Sequence, residues 1–249
     1  MIRKVIEELN DTKIKAVLFD LDGTLLPMDL DEFFENYFKL LAAKLYPYGY
    51  TDSKKLIKVV VGGVYEAIKN DGTRYNGEVF WDFFDRNLAQ VKLDNKAEIL
   101  DEFYRNEFNS LKSLCGFNPK ANRTVKLLKQ KGIRTVVATK PIFPPSAIES
   151  RMEWAGLELS DFEYYTDYDK CRYCKPDVGY YKEIADRLGV LPSECLMVGN
   201  DVSEDMTAMD IGMRVFLLTD CLINSENKDL SSYNKGGFDE LVKFIEQHI

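Results

Sequence analysis

Residues 16–24 decide the fold and read Ala16-Val-Leu-Phe-Asp-Leu-Asp-Gly-Thr24. The four apolar residues at the start predict a strand buried on both faces, as in a parallel sheet covered by helices. Asp20 and Asp22 follow at the end of this strand, where open α/β sheets place their ligands. Gly23 permits a sharp turn that can direct backbone N–H groups at an anion. The stretch therefore predicts a parallel α/β sheet with a binding site at its edge.

The two carboxylates give this edge a specific chemistry. Residues i and i+2 of a strand point the same way, so Asp20 and Asp22 converge if the extended backbone continues. Converging anions repel each other unless a cation lies between them or one of them carries a proton. An Asp-Gly pair is also common in ordinary turns. The second Asp and the apolar strand before it favour a functional site over a simple turn.

Composition limits the class of protein and its partners. The chain has 249 residues, 45% of them apolar and 30% charged, which is typical of a soluble globular protein with one large domain or two smaller ones. A net charge of −8 argues against a nucleic-acid partner and is compatible with a small anionic substrate held by a few local positive groups. No apolar run reaches the ~18 residues of a membrane span. The N-terminus lacks a signal-peptide core. We therefore expect a cytoplasmic protein with no membrane partner, and the oligomeric state stays open.

Five cysteines, an odd number, do not indicate a disulfide framework in a chain of this size. Cys171 and Cys174 form a C-x-x-C pair that could clip a metal. A zinc site needs four ligands, however, and His248 is the only histidine. The pattern favours ordinary thiols in a loop.

Strands and helices alternate along the second half of the chain. Further strands are predicted over 134–139, 162–166, 195–199 and 214–218, with helices over 119–131, 145–156, 178–188, 204–211 and 237–247. This alternation indicates βαβ units, so helices cover both faces of a parallel sheet. Residues 1–9 resemble an amphipathic helix, and 222–236 a surface loop.

Residues 28–116 interrupt the alternation. Four helices are predicted there, roughly over 30–46, 53–69, 77–90 and 95–113, with aromatic residues at helical spacing. We therefore expect a three-layer Rossmann-like core built from residues 1–27 and 117–249. The inserted all-α cap domain, 28–116, follows the first strand directly and lies over the strand ends, a position that suits a lid.

Polar side chains follow four of the predicted strands. They are Asp20 and Asp22 after the first, Thr139 and Lys140 after the second, Lys175 after the third, and Asn200, Asp201 and Asp205 after the fourth. Each alone has an ordinary explanation, such as a helix cap or a solvated loop charge. Because the ends of parallel strands meet at one edge of a sheet, these residues can converge there.

In these residues the chain resembles the haloacid dehalogenase superfamily, and specifically its phosphohydrolases with a helical cap. The family motif D-x-D-G-T appears as Asp20-Leu21-Asp22-Gly23-Thr24. The Ser or Thr of the second motif appears as Thr139, and the Lys of the third as Lys175, followed by Pro176. The acidic fourth motif appears within 199–205, where Asn200 separates Gly199 from Asp201. The resemblance spans nearly the whole chain.

The resemblance implies a role for each matched position. Asp20 is implied as the nucleophile that forms an aspartyl-phosphate, and Asp22 as the general acid and then the base. A magnesium ion is implied on Asp20, Asp201 and the Asp22 main-chain carbonyl. Phosphate binding is implied for the remaining turn and strand-end residues: Gly23, Thr24, Thr139, Lys140 and Lys175. Asn200 is expected in or beside the metal's coordination shell, and Asp205 is expected to orient Lys175 or a metal-bound water.

The resemblance thus implies a magnesium-dependent phosphomonoesterase acting on a small cytosolic phosphate ester. A sugar-phosphate mutase shares every core residue and stays open as an alternative, as does a phosphate-binding regulatory protein without turnover. A dehalogenase is disfavoured because that branch uses no metal and lacks the second carboxylate, which Asp22 supplies here. A phosphonate-cleaving enzyme needs a cap lysine that forms a Schiff base, and the lysines of the cap show no distinguishing pattern. The sequence does not name the substrate.

Overall fold

The computed structural model describes residues 13–89, 91 and 95–248. The predicted N-terminal amphipathic helix lies outside the described residues. The described strands form one parallel sheet, in the order β3-β2-β1-β4-β5-β6. They are β1 (Ala16–Phe19), β2 (Arg134–Val137), β3 (Tyr164–Tyr165), β4 (Cys195–Gly199), β5 (Arg214–Leu218) and β6 (Asn234–Gly236). The first strand of the chain is therefore central, as its fully apolar sequence predicts.

Helices cover both faces of this sheet and fill the insertion after β1. They are α1 (Leu30–Leu45), α2 (Ser53–Ile68), α3 (Asn76–Asn87), α4 (Lys96–Arg105), α5 (Pro119–Gln130), α6 (Pro145–Trp154), α7 (Val178–Leu188) and α8 (Phe238–His248). We call the insertion, residues 28–116, the cap. Aspartates start several helices: the Asp29 and Asp52 side chains accept hydrogen bonds from the first-turn N–H groups of Glu32 and Lys55.

The core divides along the two faces of the sheet. Val17 and Phe19 of β1 belong to the larger apolar cluster, which extends into the cap, whereas Ala16 and Leu18 belong to the cluster beneath α7. This alternation is the two-residue period of a strand with both faces covered. Tyr180 of α7 is fully buried in the second cluster. The core thus fixes the orientation of β1 and the direction in which its carboxyl end points.

The cap joins and contacts the sheet layer at two places. Met28 and Cys115 form an antiparallel bridge, and the Gly116 N–H donates to the Pro27 carbonyl at 2.7 Å, so the entering and leaving chain segments run side by side. Elsewhere, the start of α3 meets the loop that precedes Lys175: the Gly77 N–H donates to the Tyr168 carbonyl at 2.7 Å. The cap is therefore held directly over the polar edge of the sheet.

Several elements differ from the sequence-based predictions. The helix predicted over 95–113 ends at Asn106, whose side chain donates to the Glu102 carbonyl, and a 3₁₀ helix, Glu107–Leu114, follows. Asparagine favours such an ending because its amide competes with backbone hydrogen bonds. The helix predicted over 204–211 is also 3₁₀, over Asp205–Ile211. The loop predicted over 222–236 ends in β6, which extends the sheet next to β5.

Within the described ranges, no helix combines the length and the apolar character that a bilayer crossing requires.

Candidate active site

Asp20 is the first residue beyond β1 and is fixed by both neighbouring strands. Its N–H donates to the Val198 carbonyl of β4 at 2.9 Å, and the Phe19 carbonyl before it accepts from Ala138 at 2.6 Å. The carboxyl ends of β1, β2 and β4 therefore meet around this residue. A cavity of about 260 Å³ opens there, and its walls include seven of the predicted residues: Asp20, Asp22, Thr139, Lys140, Asn200, Asp201 and Asp205.

Lys175 lies between two carboxylates that are distant in sequence. Its Nζ is 2.8 Å from Asp20 Oδ1 and 2.6 Å from Asp205 Oδ1, and the residue is 1% exposed. Burial alone lowers the pKa of such an ammonium, but Asp20 and Asp205 outweigh it and raise the pKa well above its usual value. The lysine therefore stays charged and directs one positive charge at the Asp20 carboxylate.

Thr24 and Asn200 lie on the side of the Asp20 carboxylate opposite Lys175. Thr24 Oγ1 lies 3.3 Å from Asp20 Oδ2 and 2.9 Å from Asn200 Oδ1, so it shares one hydroxyl hydrogen between them. The Asn200 amide donates in turn to the Cys221 carbonyl at 2.6 Å. Gly23 has φ +81°, and a Cβ there would collide with the Asn200 amide. The motif glycine is thus required both for its backbone conformation and for this close approach.

The two acidic residues after β4 have different surroundings. Asp201 Oδ1 accepts the N–H groups of Ser203 at 2.7 Å and Glu204 at 3.0 Å, which closes the turn after the strand. Asp205 uses both oxygens, Oδ1 toward Lys175 and Oδ2 toward the Asp201 N–H at 3.0 Å. Asp205 is thus positioned to orient Lys175 and this turn, while Asp201 lines the cavity with one oxygen engaged.

Thr139 and Lys140 reach the cavity from the end of β2. The Thr139 carbonyl accepts two hydroxyl hydrogen bonds, from Thr166 at 2.7 Å and Tyr180 at 2.8 Å, which fix its backbone. Lys140 forms an ion pair with Glu204. Its charge is therefore already partly neutralised by a neighbouring carboxylate.

Arg151 of α6 belongs to the site but was absent from the sequence-based prediction. Its Nη1 forms an ion pair with Asp22 Oδ2, although the residue is 1% exposed and 129 positions away. The guanidinium also packs over the Phe143 ring, 4.5 Å from its centroid. Burial raises the pKa of Asp22 despite the opposing Arg151 charge. The ion pair holds the Asp22 carboxyl in one orientation, while burial makes this carboxyl easier to protonate than an exposed aspartate.

The oxygen atoms at the cavity are compatible with a magnesium ion that binds protein and phosphate oxygens together. Carboxylate oxygens are the donors that Mg²⁺ prefers, and Asp20 and Asp201 supply them to the same cavity. Across the part of the chain that the structure describes, no three Asp, Glu, His or Cys side chains form a ready-made metal cage. A magnesium ion here would therefore also need backbone, water or phosphate oxygens, which is how this ion usually binds.

The comparison with protein families matches residues 14–210 to the haloacid dehalogenase-like hydrolases. The chain belongs to this family. The match runs from β1 into the 3₁₀ helix after β4 and so includes the seven predicted residues that line the cavity. The predicted superfamily is confirmed, and the chain is a hydrolase of the haloacid dehalogenase-like family.

Solved structures confirm the predicted α/β fold. A phosphatase of this family from Thermococcus onnurineus is 21% identical, with a TM-score of 0.59 over 93% of this chain and 98% of that one. An L-2-haloacid dehalogenase from Xanthobacter autotrophicus is 16% identical, with a TM-score of 0.56 over 95% and 100%. A predicted phosphoglycolate phosphatase from Haemophilus somnus is 17% identical, with a TM-score of 0.54 over 94% and 98%. At these identities the likeness concerns the fold alone.

A curated relative is also similar to this hydrolase. The chloroplastic protein SUPPRESSOR OF QUENCHING 1 of Arabidopsis thaliana is 25% identical over 224 residues, or 87% of this chain. The chain spans only 19% of that relative's length.

Proposed function

We propose that this hydrolase is a magnesium-dependent phosphomonoesterase that cleaves a small phosphorylated metabolite through an aspartyl-phosphate on Asp20. The observation that carries the proposal is the position of the Asp20 carboxylate at the cavity, between the Lys175 ammonium and the Thr24 hydroxyl. A cation held against a carboxylate is the arrangement that a nucleophile needs when its target is itself an anion. A cytoplasmic location and a small phosphate ester as the partner belong to the same proposal.

The first step joins Asp20 to phosphorus. One Asp20 oxygen attacks the phosphorus atom of the ester, the bond from phosphorus to the ester oxygen breaks, and the leaving oxygen takes a proton from Asp22. Lys175 and the turn N–H groups after Asp20 stabilise the charge on the equatorial phosphate oxygens. Thr139, fixed by Thr166 and Tyr180, adds a polar group on the β2 side.

The second step returns the enzyme to its starting state. Asp22, now ionised, takes a proton from water, and the water oxygen attacks phosphorus and displaces Asp20 as a carboxylate. Arg151 positions Asp22 for both transfers and balances its charge while it is ionised. The bound magnesium would supply charge neutralisation between Asp20 and the phosphate, and its proposed protein ligands are Asp20, Asp201 and the Asp22 carbonyl.

The Asp22 environment favours phosphoester over carbon–halogen cleavage. An alkoxide leaves readily only when it is protonated, whereas a halide leaves as an anion and needs no acid. A buried carboxyl with a raised pKa beside the nucleophile supplies such an acid. We therefore propose a phosphatase, although solved structures of both kinds share this fold.

The test is phosphate release from p-nitrophenyl phosphate and from ethyl phosphate, with magnesium chloride and then with excess chelator. We expect release with both esters, its loss in Asp20→Asn, and wild-type activity in the control Asp186→Asn, which lies on the exposed face of α7. Asp22→Asn should lower kcat/KM more for ethyl phosphate, because nitrophenolate leaves without a proton. Chloride release from 2-chloropropionate without phosphate release, or full activity in Asp20→Asn, would contradict the proposal.

A further inference from the structure

The cap contains a second cavity, which we call the cap chamber. Its volume is about 290 Å³, and its walls come from helices α1 to α4 together with residues 142–144 and Tyr168. Five side chains line both the cap chamber and the catalytic cavity: Phe34, Val64, Ile68, Ile142 and Phe143. The two cavities are therefore adjacent and share apolar side chains at their boundary. A molecule with a polar end and an apolar end that crosses this boundary would occupy both.

We propose that the cap chamber binds the organic group of the phosphate ester and that this group is apolar, an aryl group or an alkyl chain. This inference rests on the proposed phosphatase function, in which the phosphate lies at Asp20. It adds the chemical class of the substrate, which neither the motif residues nor the family match specifies.

The side chains of the chamber exclude a polar occupant. Its described walls are aliphatic and aromatic apart from four tyrosine hydroxyls, the Trp81 ring nitrogen and one charged side chain, Lys96. Of the tyrosines, Tyr65 is 59% exposed at the rim. The Lys96 ammonium is paired with Asp85 at 2.5 Å and lies 4.8 Å from the Trp81 ring centre. A sugar would leave several hydroxyl groups buried against hydrocarbon without partners, at a cost of a few kcal/mol for each one.

The tyrosine hydroxyls do not alter this conclusion. Tyr37 and Tyr104 are buried and hydrogen-bonded to each other, with 2.9 Å between their oxygens. Burial raises the pKa of Tyr37 to about 12, so the pair stays neutral. Of two hydroxyls that share one hydrogen bond, one retains a hydrogen to donate. The pair can therefore accommodate at most an isolated polar atom on an otherwise apolar group.

The volume sets the size of the occupant. An apolar cavity of ~150 Å³ holds one benzene ring, and the cap chamber has roughly twice that volume. Two fused rings or an alkyl chain of about eight carbons therefore match it. Val61 and Tyr65 remain 40% and 59% exposed at its rim, so the chamber is accessible from the cap surface.

The experiment uses ethyl, butyl, hexyl and octyl phosphate, whose leaving groups differ in apolar length and hardly in acidity. We expect kcat/KM to rise by up to about fourfold for each added methylene, the effect of burying that group fully. A hexitol phosphate, which has the carbon chain of hexyl phosphate with a hydroxyl on each remaining carbon, should react at least tenfold more slowly. Equal kcat/KM along the series, or a preference for the hexitol ester, would overturn the inference.

A chamber variant and a surface control locate the effect. Val61→Trp adds bulk at the rim of the chamber, while Leu191→Trp adds the same side chain at a position that is 64% exposed and lines no described cavity. We expect Val61→Trp to remove the gain from hexyl and octyl chains, so that these esters react no faster than ethyl phosphate with the same variant. The Leu191 variant should behave as the wild type. An unchanged chain-length dependence in Val61→Trp would assign the preference to another surface.

Calorimetric binding separates this inference from the proposed function. Affinities of octyl and ethyl phosphate are measured on Asp20→Asn, which cannot form the aspartyl-phosphate. If the wild type releases no phosphate from any ester, the proposed function fails. Tighter binding of octyl phosphate, reversed by Val61→Trp, would still support the chamber, and equal binding of the two esters would overturn it.

Discussion

Replacing Arg151 by methionine tests the ion pair that the sequence alone did not indicate. The substitution keeps most of the side-chain length and removes a charge that is 1% exposed and balances Asp22, whose side chain is 18% exposed. It also removes the hydrogen bond from Nε to the Ala147 carbonyl at 3.1 Å and the contact of the guanidinium with Phe143. The largely buried Asp22 carboxylate is then left without its partner.

The expected loss of stability in Arg151→Met follows from the low exposure of the ion pair. Breaking a buried ion pair from one side costs ~3–5 kcal/mol, against ~0.2–1 kcal/mol for an exposed pair. For a chain of this size, each kcal/mol lowers Tm by about 2–4 °C, which predicts a fall of roughly 6–20 °C. Arg105→Met is the matched control, because Arg105 pairs with Asp101 while its side chain is 63% exposed. The control should change stability by less than ~1 kcal/mol.

Urea unfolding of the single and double variants measures the interaction free energy between Arg151 and Asp22. Asp22→Asn added to Arg151→Met removes the uncompensated charge, so the double variant should be more stable than Arg151→Met alone. Phosphate release should also fall in Arg151→Met, because Asp22 loses its fixed orientation. The reasoning would be refuted by an Arg151→Met protein as stable as the Arg105→Met control, or by additive losses in the double variant.

Three further outcomes are expected. Gly23→Ala should abolish phosphate release and lower the free energy of unfolding by more than the ~1–2 kcal/mol that a non-glycine residue costs in the left-handed conformation. Gly132→Ala, with φ +73° and open space around it, should lower it by that amount only. Equal losses of stability in both variants would contradict the role of the Asn200 contact. Asn76 is fully buried, and its Nδ2 donates to the Tyr173 carbonyl at 3.1 Å. Asn76→Ala should therefore speed proteolysis between cap and core. An unchanged cleavage rate would argue that this contact does not hold the cap against the core. The thiol of Cys174, whose pKa burial raises to about 12, should resist iodoacetamide at mildly alkaline pH until the protein unfolds, and rapid labelling of the native protein would contradict its burial.

The sequence predicted the sheet and its polar edge because those features depend on local patterns. A short apolar run that ends in turn-forming residues favours a strand covered on both faces, and parallel pairing then places the residues after each strand together. Asp20, Thr139 and Asn200 thus lie at one cavity in the structure, as the order of strand ends implied. The break of the last cap helix at Asn106 was not predictable from periodicity, because the apolar spacing continues across it.

The contribution of Arg151 could not be predicted from charge alone, because an arginine on a helix usually faces solvent. A weaker signal was present: Ala147, Ile148 and Met152 are buried on the same side of α6, and their spacing places Arg151 on that face. The partner of Lys140 was equally hidden, because Glu204 approaches it only through the tertiary fold. Pairings of this kind depend on side-chain contacts between distant segments rather than on residue spacing.

The central claim is that Asp20 becomes phosphorylated, and rapid acid quench with a ³²P-labelled phosphate ester tests it most directly. We predict transient label on the peptide that carries Asp20, stable in acid, released by hydroxylamine and absent from Asp20→Asn. Steady release of labelled phosphate with the label on a different residue would contradict the account. So would an Asp22→Asn protein that gains no label from ³²P-labelled p-nitrophenyl phosphate, because this leaving group needs no proton and only the second step is then slowed.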